Sequence, residues 1–301
     1  MNTQIAPDWI AVDWGTTNLR AFAMQGATVL ARAQSEDGMG KLAVNQFEPA
    51  LLALIGDWVA RRQLPVIACG MVGSRQGWVE APYRSVPCTP LAEELTPAPT
   101  SKGLDVRVVS GLSQAAPADV MRGEETQVAG FLQLNPRWDG VLCLPGTHTK
   151  WVHLSAGEVV SFQTFMTGEL FALLSGSSVL RHSLEAEGWD DSAFEAAVGD
   201  AMSKPERLAA RLFSLRAGHL LHGTQAPITR AALSGLLIGS ELAASKPYWL
   251  GQNVAILGTG TQANAYRAAL RPQGISAMLV DTERATLAGL TAAHRHSKAP
   301  S

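Results

Sequence analysis

The chain has 301 residues, 47% hydrophobic and 17% charged, with 24 Lys plus Arg against 26 Asp plus Glu. That balance excludes a disordered chain and leaves no basic footprint for nucleic acid or an anionic membrane, and at about 150 residues per domain the length predicts two lobes. Residues 1–7 show no basic stretch followed by an apolar run, no apolar run reaches the ~18 residues that span a bilayer, and Cys69, Cys88 and Cys143 are odd in number and far apart, which points to a cytoplasmic enzyme whose cysteines are small buried hydrophobes.

Residues 9–12 are an apolar run ending in Asp13-Trp14-Gly15-Thr16-Thr17, which predicts a strand entering a tight turn; residues 19–24 and 28–33 predict the next two strands. Residues 47–62 have helical periodicity, with Leu51, Leu54, Ile55, Trp58 and Val59 on one side, and Pro65 stops that helix. Residues 66–69 read as a buried strand running into a glycine-rich stretch, 70–77. Residues 82–103 read as Pro- and Thr-rich loop with short pieces, and 106–109 as a strand. A second round then begins, with a helix over 124–132, a strand over 140–144, the turn Pro145-Gly146-Thr147-His148-Thr149, and strands over 151–154 and 159–162. Helices over 205–222 and 229–244 follow, the first with Pro205 in its first turn and Gly223 after its end. A strand over 254–257, the turn Gly258-Thr259-Gly260, a helix, a strand over 277–280 and a helix over 284–293 complete the pattern; the polar tail from His294 is expected to fray. A strand–turn–strand unit with a Gly-Thr turn thus occurs twice, a weak repeat at domain scale.

Asp13-Trp14-Gly15-Thr16-Thr17-Asn18-Leu19-Arg20 has what a phosphate turn needs. Glycine allows close backbone approach, the Thr16 and Thr17 hydroxyls can donate to phosphate oxygens, and Asp13 at the strand end can hold Mg²⁺; an ordinary hairpin is the alternative. Pro145-Gly146-Thr147-His148-Thr149-Lys150 repeats the arrangement, with Lys150 either a point charge for phosphate or a solvated side chain. His148 either touches phosphate or fixes the turn. Gly258-Thr259-Gly260-Thr261-Gln262-Ala263-Asn264 fits the dinucleotide pattern G-x-G-x-x-A, with Asp281 about 20 residues on. Too few residues follow Asp281 to complete a nicotinamide-binding sheet, so a flat glycine surface under an adenine is the preferred use. Arg122-Gly123-Glu124-Glu125-Thr126-Gln127 places adjacent carboxylates at a helix start, either capping the helix dipole or supplying a general base for a sugar hydroxyl. His219 and His222 share a helix face without a third ligand pattern and read as a structural or surface pair, and no G-x-S-x-G elbow supports a hydrolase.

Taken in order, Asp13 to Asn18, then Gly123 to Gln127 followed closely by Pro145 to Trp151, then Gly258-Thr259-Gly260 with Asn264, resemble the first phosphate loop, catalytic segment, second phosphate loop and adenosine motif of carbohydrate kinases in the actin-like ATPase superfamily. Asp13-Trp14-Gly15-Thr16-Thr17-Asn18, Met121-Arg122-Gly123-Glu124-Glu125-Thr126-Gln127 and Leu144-Pro145-Gly146-Thr147-His148-Thr149-Lys150-Trp151 are similar to the 2-dehydro-3-deoxygalactonokinase family specifically, over about Ile10 to Ala293. The resemblance implies an α/β fold of two ribonuclease H-like lobes, residues 1–118 and 119–301, with a nucleotide cleft between them. It implies ATP and Mg²⁺ as cofactors and phosphorylation of the terminal hydroxyl of a sugar acid. Asp13, Gly15, Thr16, Thr17, Asn18, Gly146, Thr147, Thr149 and Lys150 would cradle phosphates and metal, and Gly258, Thr259, Gly260 and Asn264 the adenosine. Larger carbohydrate kinases use Asp as the base after the corresponding glycine. Aligning Gln127 favours Glu125 as base here, and aligning Gly123 favours Glu124; Glu125 is preferred. Because the chain is much shorter than those kinases, sugar contacts come from chemistry alone. Arg75 suits a carboxylate, with Trp78 as a packing wall, and Thr167 and Glu169 suit hydroxyls. Residues 35–41 either line the cleft or form a flexible loop. The gluco epimer as substrate, a non-catalytic nucleotide-binding regulator and a nicotinamide dehydrogenase are the rival readings, and the oligomeric state is left open, a homodimer included.

Overall fold

A computed structural model describes residues 5–60, 62–101 and 103–298. The chain forms two compact units. Unit 1 comprises Met1–Trp138, Ser155–Ser161 and Thr282–Ser301; unit 2 comprises Asp139–Leu154 and Phe162–Asp281. This grouping differs from the expected division at residue 118. The segment up to Trp138 carries helix α2 (Glu124–Leu134), and the C-terminal helix α9 (Thr282–His296) packs tightly on it. A Cβ on Gly130 would lie 1.7 Å from the Ala285 carbonyl oxygen, and one on Gly289 1.9 Å from that of Thr126, so the two helices cross backbone to backbone.

Unit 1 is built on a six-stranded sheet ordered β3-β2-β1-β4-β7-β6. Its strands are β1 (Trp9–Trp14), β2 (Leu19–Gln25), β3 (Thr28–Ser35), β4 (Pro65–Gly70), β6 (Thr96–Pro97) and β7 (Asp105–Val108). β1 pairs antiparallel with β2 and parallel with β4, and β4 parallel with β7. β1 is buried on both faces because its alternating side chains serve two cores. Ile10, Val12 and Trp14 pack with helix α1 (Phe47–Val59), while Trp9 and Ala11 pack with α2 and α9 through Ala129, Leu290 and Ala293. A separate three-stranded sheet, ordered β5-β8-β9, is formed by β5 (Tyr83–Ser85), β8 (Gly111–Ala115) and β9 (Ala118–Met121).

Unit 2 repeats the pattern, its sheet ordered β12-β11-β10-β13-β14. These are β10 (Gly140–Leu144), β11 (Thr149–Ser155), β12 (Glu158–Phe165), β13 (Val254–Leu257) and β14 (Met278–Val280). β10 pairs antiparallel with β11 and parallel with β13, and β13 parallel with β14. In both units a hairpin is followed by parallel strands added on the far side of its first strand, so the weak repeat of Gly-Thr turns is a repeat of whole sheets. Helices α3 (Thr167–Gly176), α4 (Asp191–Ser203), α5 (Leu208–His222), α6 (Ala226–Ala244) and α7 (Lys246–Trp249) lie between β12 and β13, and α8 (Thr261–Leu270) between β13 and β14.

The tail does not fray at His294: α9 runs on to His296, and the buried His294 ring stacks on Trp9 with centroids 4.4 Å apart. Cys69 and Cys143 are buried, whereas Cys88 is only half-buried. The first helix ends at Val59; residue 61, inside its expected span, lies outside the described residues, as do 1–4 and 299–301 of the expected leaderless start and tail. Among the described residues no helix is long and apolar enough to cross a membrane.

Candidate active site

In unit 1 the site forms where three backbone segments meet at the carboxyl end of the sheet. Gly70 ends β4 with φ +96°, and a Cβ there would lie 2.6 Å from the Trp14 carbonyl oxygen that ends β1. Gly123, φ +105°, precedes α2 and sits against Gly70, so only glycine serves at either place. The Gly15–Asn18 turn is closed by the Gly15 N–H donating to the Asn18 carbonyl at 3.0 Å. Thr16, Thr17 and Asn18 are exposed. Residues 35–41 brace this turn. Met39 and Gly40 N–H groups donate to the Gly15 and Thr16 carbonyls, each at 3.0 Å, and the Trp14 indole N–H donates to Asp37. A Cβ on Gly38 would meet the Thr17 backbone at 2.2 Å.

Asp13, the last residue but one of β1, lies beside this turn and pairs with Arg20 across the hairpin at 3.0 Å. Burial raises its carboxyl pKa, and Arg20 opposes that rise. Glu125 is 0% exposed; its carboxylate accepts from the Gly123 N–H at 2.6 Å and the Thr126 hydroxyl at 3.1 Å. Burial, reinforced by the Glu124 charge, pushes it up to about 8. Glu124 is half-buried and accepts from the Arg122 N–H at 3.1 Å. The Cys69 thiol on β4 is pushed well up by burial and then by the charges of Asp13 and Glu125, which puts both carboxylates in one electrostatic neighbourhood.

The two sugar-binding candidates of this unit have opposite surroundings. Arg75 is an outward side chain, 81% exposed, 3.9 Å from Glu80. Trp78 is 4% exposed and belongs to the core: its ring packs with Phe47 and Trp14, and its N–H donates to the Pro99 carbonyl.

In unit 2 a cavity of about 380 Å³ opens beside the second Gly-Thr turn. Gly146, Thr147, Thr167 and Gly168 form one wall, Thr261, Gln262, Ala265 and Tyr266 of α8 another, and Phe171, Trp189, Leu237 and Ile238 the apolar remainder. A Cβ on Gly168 would lie 2.2 Å from the Gly146 carbonyl oxygen; the Glu169 N–H donates to the Thr147 carbonyl, and the Gln262 amide to that of Gly146. The start of α3 therefore braces the second Gly-Thr turn, and Thr167, expected with Glu169 to meet sugar hydroxyls, lines the cavity. The Thr167 hydroxyl donates to Glu241, and the Glu169 carboxylate meets His148 Nε2 at 2.6 Å, tying the turn to α3.

Lys150 is buried on β11, its ammonium donating to the Thr164 hydroxyl, so it is not the solvated alternative and it does not line the cavity. Thr149 is fully buried and reaches the cavity wall through Tyr266, its hydroxyl 2.9 Å from the phenol. Gly258, φ +146°, and Gly260 lead into α8, the helix that lines the cavity; Thr259 is exposed, and Asn264 faces outward, accepting from Arg267. His219 bonds the Thr224 carbonyl at the end of α5. Sequence reasoning missed Trp189, Tyr266 and Glu241. The last carried one signal, a lone carboxylate on the buried face of an apolar helix.

Two sheets of this repeated topology, each presenting a Gly-Thr turn, define the actin-like ATPase fold. The activator of 2-hydroxyisocaproyl-CoA dehydratase from Clostridium difficile, solved with bound ADPNP, shares that fold at 14% identity, TM-score 0.56, over 96% of this chain and 95% of that one. The chain belongs to the 2-keto-3-deoxy-galactonokinase family, whose family model matches residues 13–293. It is 37% identical to the 2-dehydro-3-deoxygalactonokinase of Escherichia coli strain K12, over 94% of this chain and 96% of the relative. It is 41% identical to a "probable 2-dehydro-3-deoxygalactonokinase" of Rhizobium meliloti strain 1021, over 95% and 96%. The crystal structure of a candidate 2-dehydro-3-deoxygalactonokinase from Sinorhizobium meliloti superposes with TM-score 0.91 at 39% identity, over 97% of this chain and all of that one.

Proposed function

We propose that this chain is a cytoplasmic ATP-dependent kinase that phosphorylates the terminal hydroxyl of 2-dehydro-3-deoxygalactonate. Family membership supports the substrate. The observation that carries the reaction is the unit 2 cavity walled by its own phosphate-type turn. Its size and apolar lining suit a nucleoside, with Trp189 and Phe171 as flat partners for adenine, and the Gly146–Thr147 backbone suits the phosphates.

Within unit 1, Thr16 and Thr17 carry exposed hydroxyls of the kind that suits phosphate oxygens. Asp13 fits a metal: it is one carboxylate at a strand end, driven up by burial, and Mg²⁺ takes one or two carboxylates with phosphate oxygens and water. When bound, Mg²⁺ neutralises phosphate charge. Exposure reverses the order of the two base candidates. A general base must come within hydrogen-bond reach of the hydroxyl it deprotonates, which half-buried Glu124 can do; Glu125, enclosed and held by Gly123 and Thr126, holds the turn. Glu124 accepts the hydroxyl proton, the sugar oxygen bonds to the γ-phosphorus, and the bond from phosphorus to the β-phosphate oxygen breaks, releasing ADP.

The test is coupled ADP release with Mg-ATP and 2-dehydro-3-deoxygalactonate, its gluco epimer, and neutral hexoses and pentoses side by side. Turnover is expected with the galacto acid. Turnover with another sugar alone overturns the substrate, and no ADP release with any overturns the kinase reading in favour of a nucleotide-binding regulator.

A further inference from the structure

The unit 2 cavity rests on a carboxylate that none of the sequence motifs contains. Glu241, on α6, is buried among apolar neighbours such as Ile238 and Leu242. It accepts hydrogen bonds from the Trp151 indole N–H at 2.7 Å, the Tyr266 hydroxyl at 2.7 Å and the Thr167 hydroxyl. The Tyr266 hydroxyl also meets that of Thr149. One side chain thereby joins β11, α3 and α8. Thr167 and Tyr266 are themselves cavity wall, and Thr149 is the first residue of the strand that leaves the Gly146–Thr147 turn.

A carboxylate is an expensive way to fill a core position. Burying it costs several kcal/mol unless hydrogen bonds compensate, and an apolar residue of similar volume is often as stable or more so. Three convergent donors need an acceptor-only group; an amide would turn its own NH₂ toward one of them. Glu241 is thus suited to orienting its partners more than to stabilising the core. Burial pushes the carboxyl up to about 7, as expected of an anion held in place only by its donors.

We propose that Glu241 is the positioning residue of the nucleotide side: it fixes Thr167, Tyr266 and, through Tyr266, Thr149, and so sets the spacing between the second Gly-Thr turn and the cavity wall that ATP needs. It touches no reacting atom. This rests on the reading of the cavity as the nucleotide site.

The experiment compares full-length wild type, Glu241→Gln and Tyr266→Phe. ATP affinity is read by calorimetry without sugar acid, KM for each substrate by steady-state kinetics, and stability by urea unfolding. Glu241→Gln should raise Kd and KM for ATP about tenfold or more, with KM for the sugar acid within twofold of wild type. Tyr266→Phe, which cuts one donor and the Thr149 arm, should raise Kd for ATP several-fold with a urea midpoint near wild type. ATP affinity unchanged in the variants that fold, whatever their midpoints, overturns the inference; should Glu241→Gln fail to fold, Tyr266→Phe alone decides. Wild type that binds no ATP removes the nucleotide reading and this inference with it, whereas wild type and variants binding ATP alike remove the inference only.

Discussion

Glu124 and Glu125 are chemically identical neighbours with opposite surroundings. Successive residues on a helix point about 100° apart, so at the start of α2 one carboxylate faces the surface and the next faces Cys69 and the core. Glu124→Gln should lower kcat by about 10²- to 10⁴-fold with ATP affinity unchanged, the usual worth of a general base. Substantial activity in that variant, with Glu125→Gln dead, returns the role to Glu125. Glu125 also has a signature of its own. Its value near 8 in the folded state lies above 4.5, so between those values the unfolded chain sheds a proton that the folded chain keeps. Stability relative to Glu125→Gln, full at low pH, should therefore decline from about pH 5 to pH 8 by on the order of a few kcal/mol. Urea unfolding at three pH values checks this, and parallel curves for the two proteins would refute it. The sequence marks both carboxylates as chemical candidates but not which one is enclosed, because that depends on Gly70 and Gly123 drawing α2 onto β4. The same limit explains Trp78. An aromatic beside a glycine-rich stretch reads as a binding wall until Phe47 and Trp14, remote in sequence, are seen against it.

At the scale of elements, the strands of the two large sheets were legible, all but the two-residue β6, and those of the small sheet were not. β10 and β13 match their expected bounds because an unbroken apolar run between polar or glycine residues has no other stable place. The β8–β9 hairpin was not legible: it belongs to the small sheet, and only three of its nine positions are buried. α3 was not legible for a different reason, since it buries only Thr167 and so presents no apolar stripe to read, whereas the stripe of α4, Phe194, Ala197, Val198 and Ala201, is half alanine. Yet α3 is what supports the second turn, and its two glycines give a paired test. Gly168→Ala forces a methyl to within 2.2 Å of the Gly146 carbonyl oxygen, so the turn must shift; a loss of about 1–3 kcal/mol in stability, together with weaker ATP binding, is expected. Gly176→Ala, at the other end of the same helix with nothing within 4 Å, should be neutral or stabilising by up to about 1 kcal/mol. Thermal unfolding with and without ATP reads both, and equal behaviour of the two variants would show that α3 does not brace the turn.

Over the whole molecule the chain passes from one unit to the other four times, and its last element returns to the first unit. Hydrophobic periodicity marks α9 as a helix, but a C-terminal helix ending in polar residues reads as an appendage. Its partners show otherwise. Leu290, Ala292 and Ala293 share a core with Trp9, Phe22 and Ile67, Gly289 meets the backbone of α2, and Arg32 pairs with Glu283 at 2.9 Å. His294 is held neutral on Trp9, burial lowering its pKa to about 4. A helix with such partners cannot detach without exposing one face of the central sheet of unit 1, so its opening is tied to that of the sheet. Native-state hydrogen exchange should therefore give amides 286–293 opening free energies within about 1 kcal/mol of those in β1, while α5, which buries no residue, opens at lower cost. If α9 instead exchanges several kcal/mol more easily than β1, the helix is an appendage after all, and unit 1 must be stable on the strength of its other two segments, up to Trp138 and Ser155–Ser161.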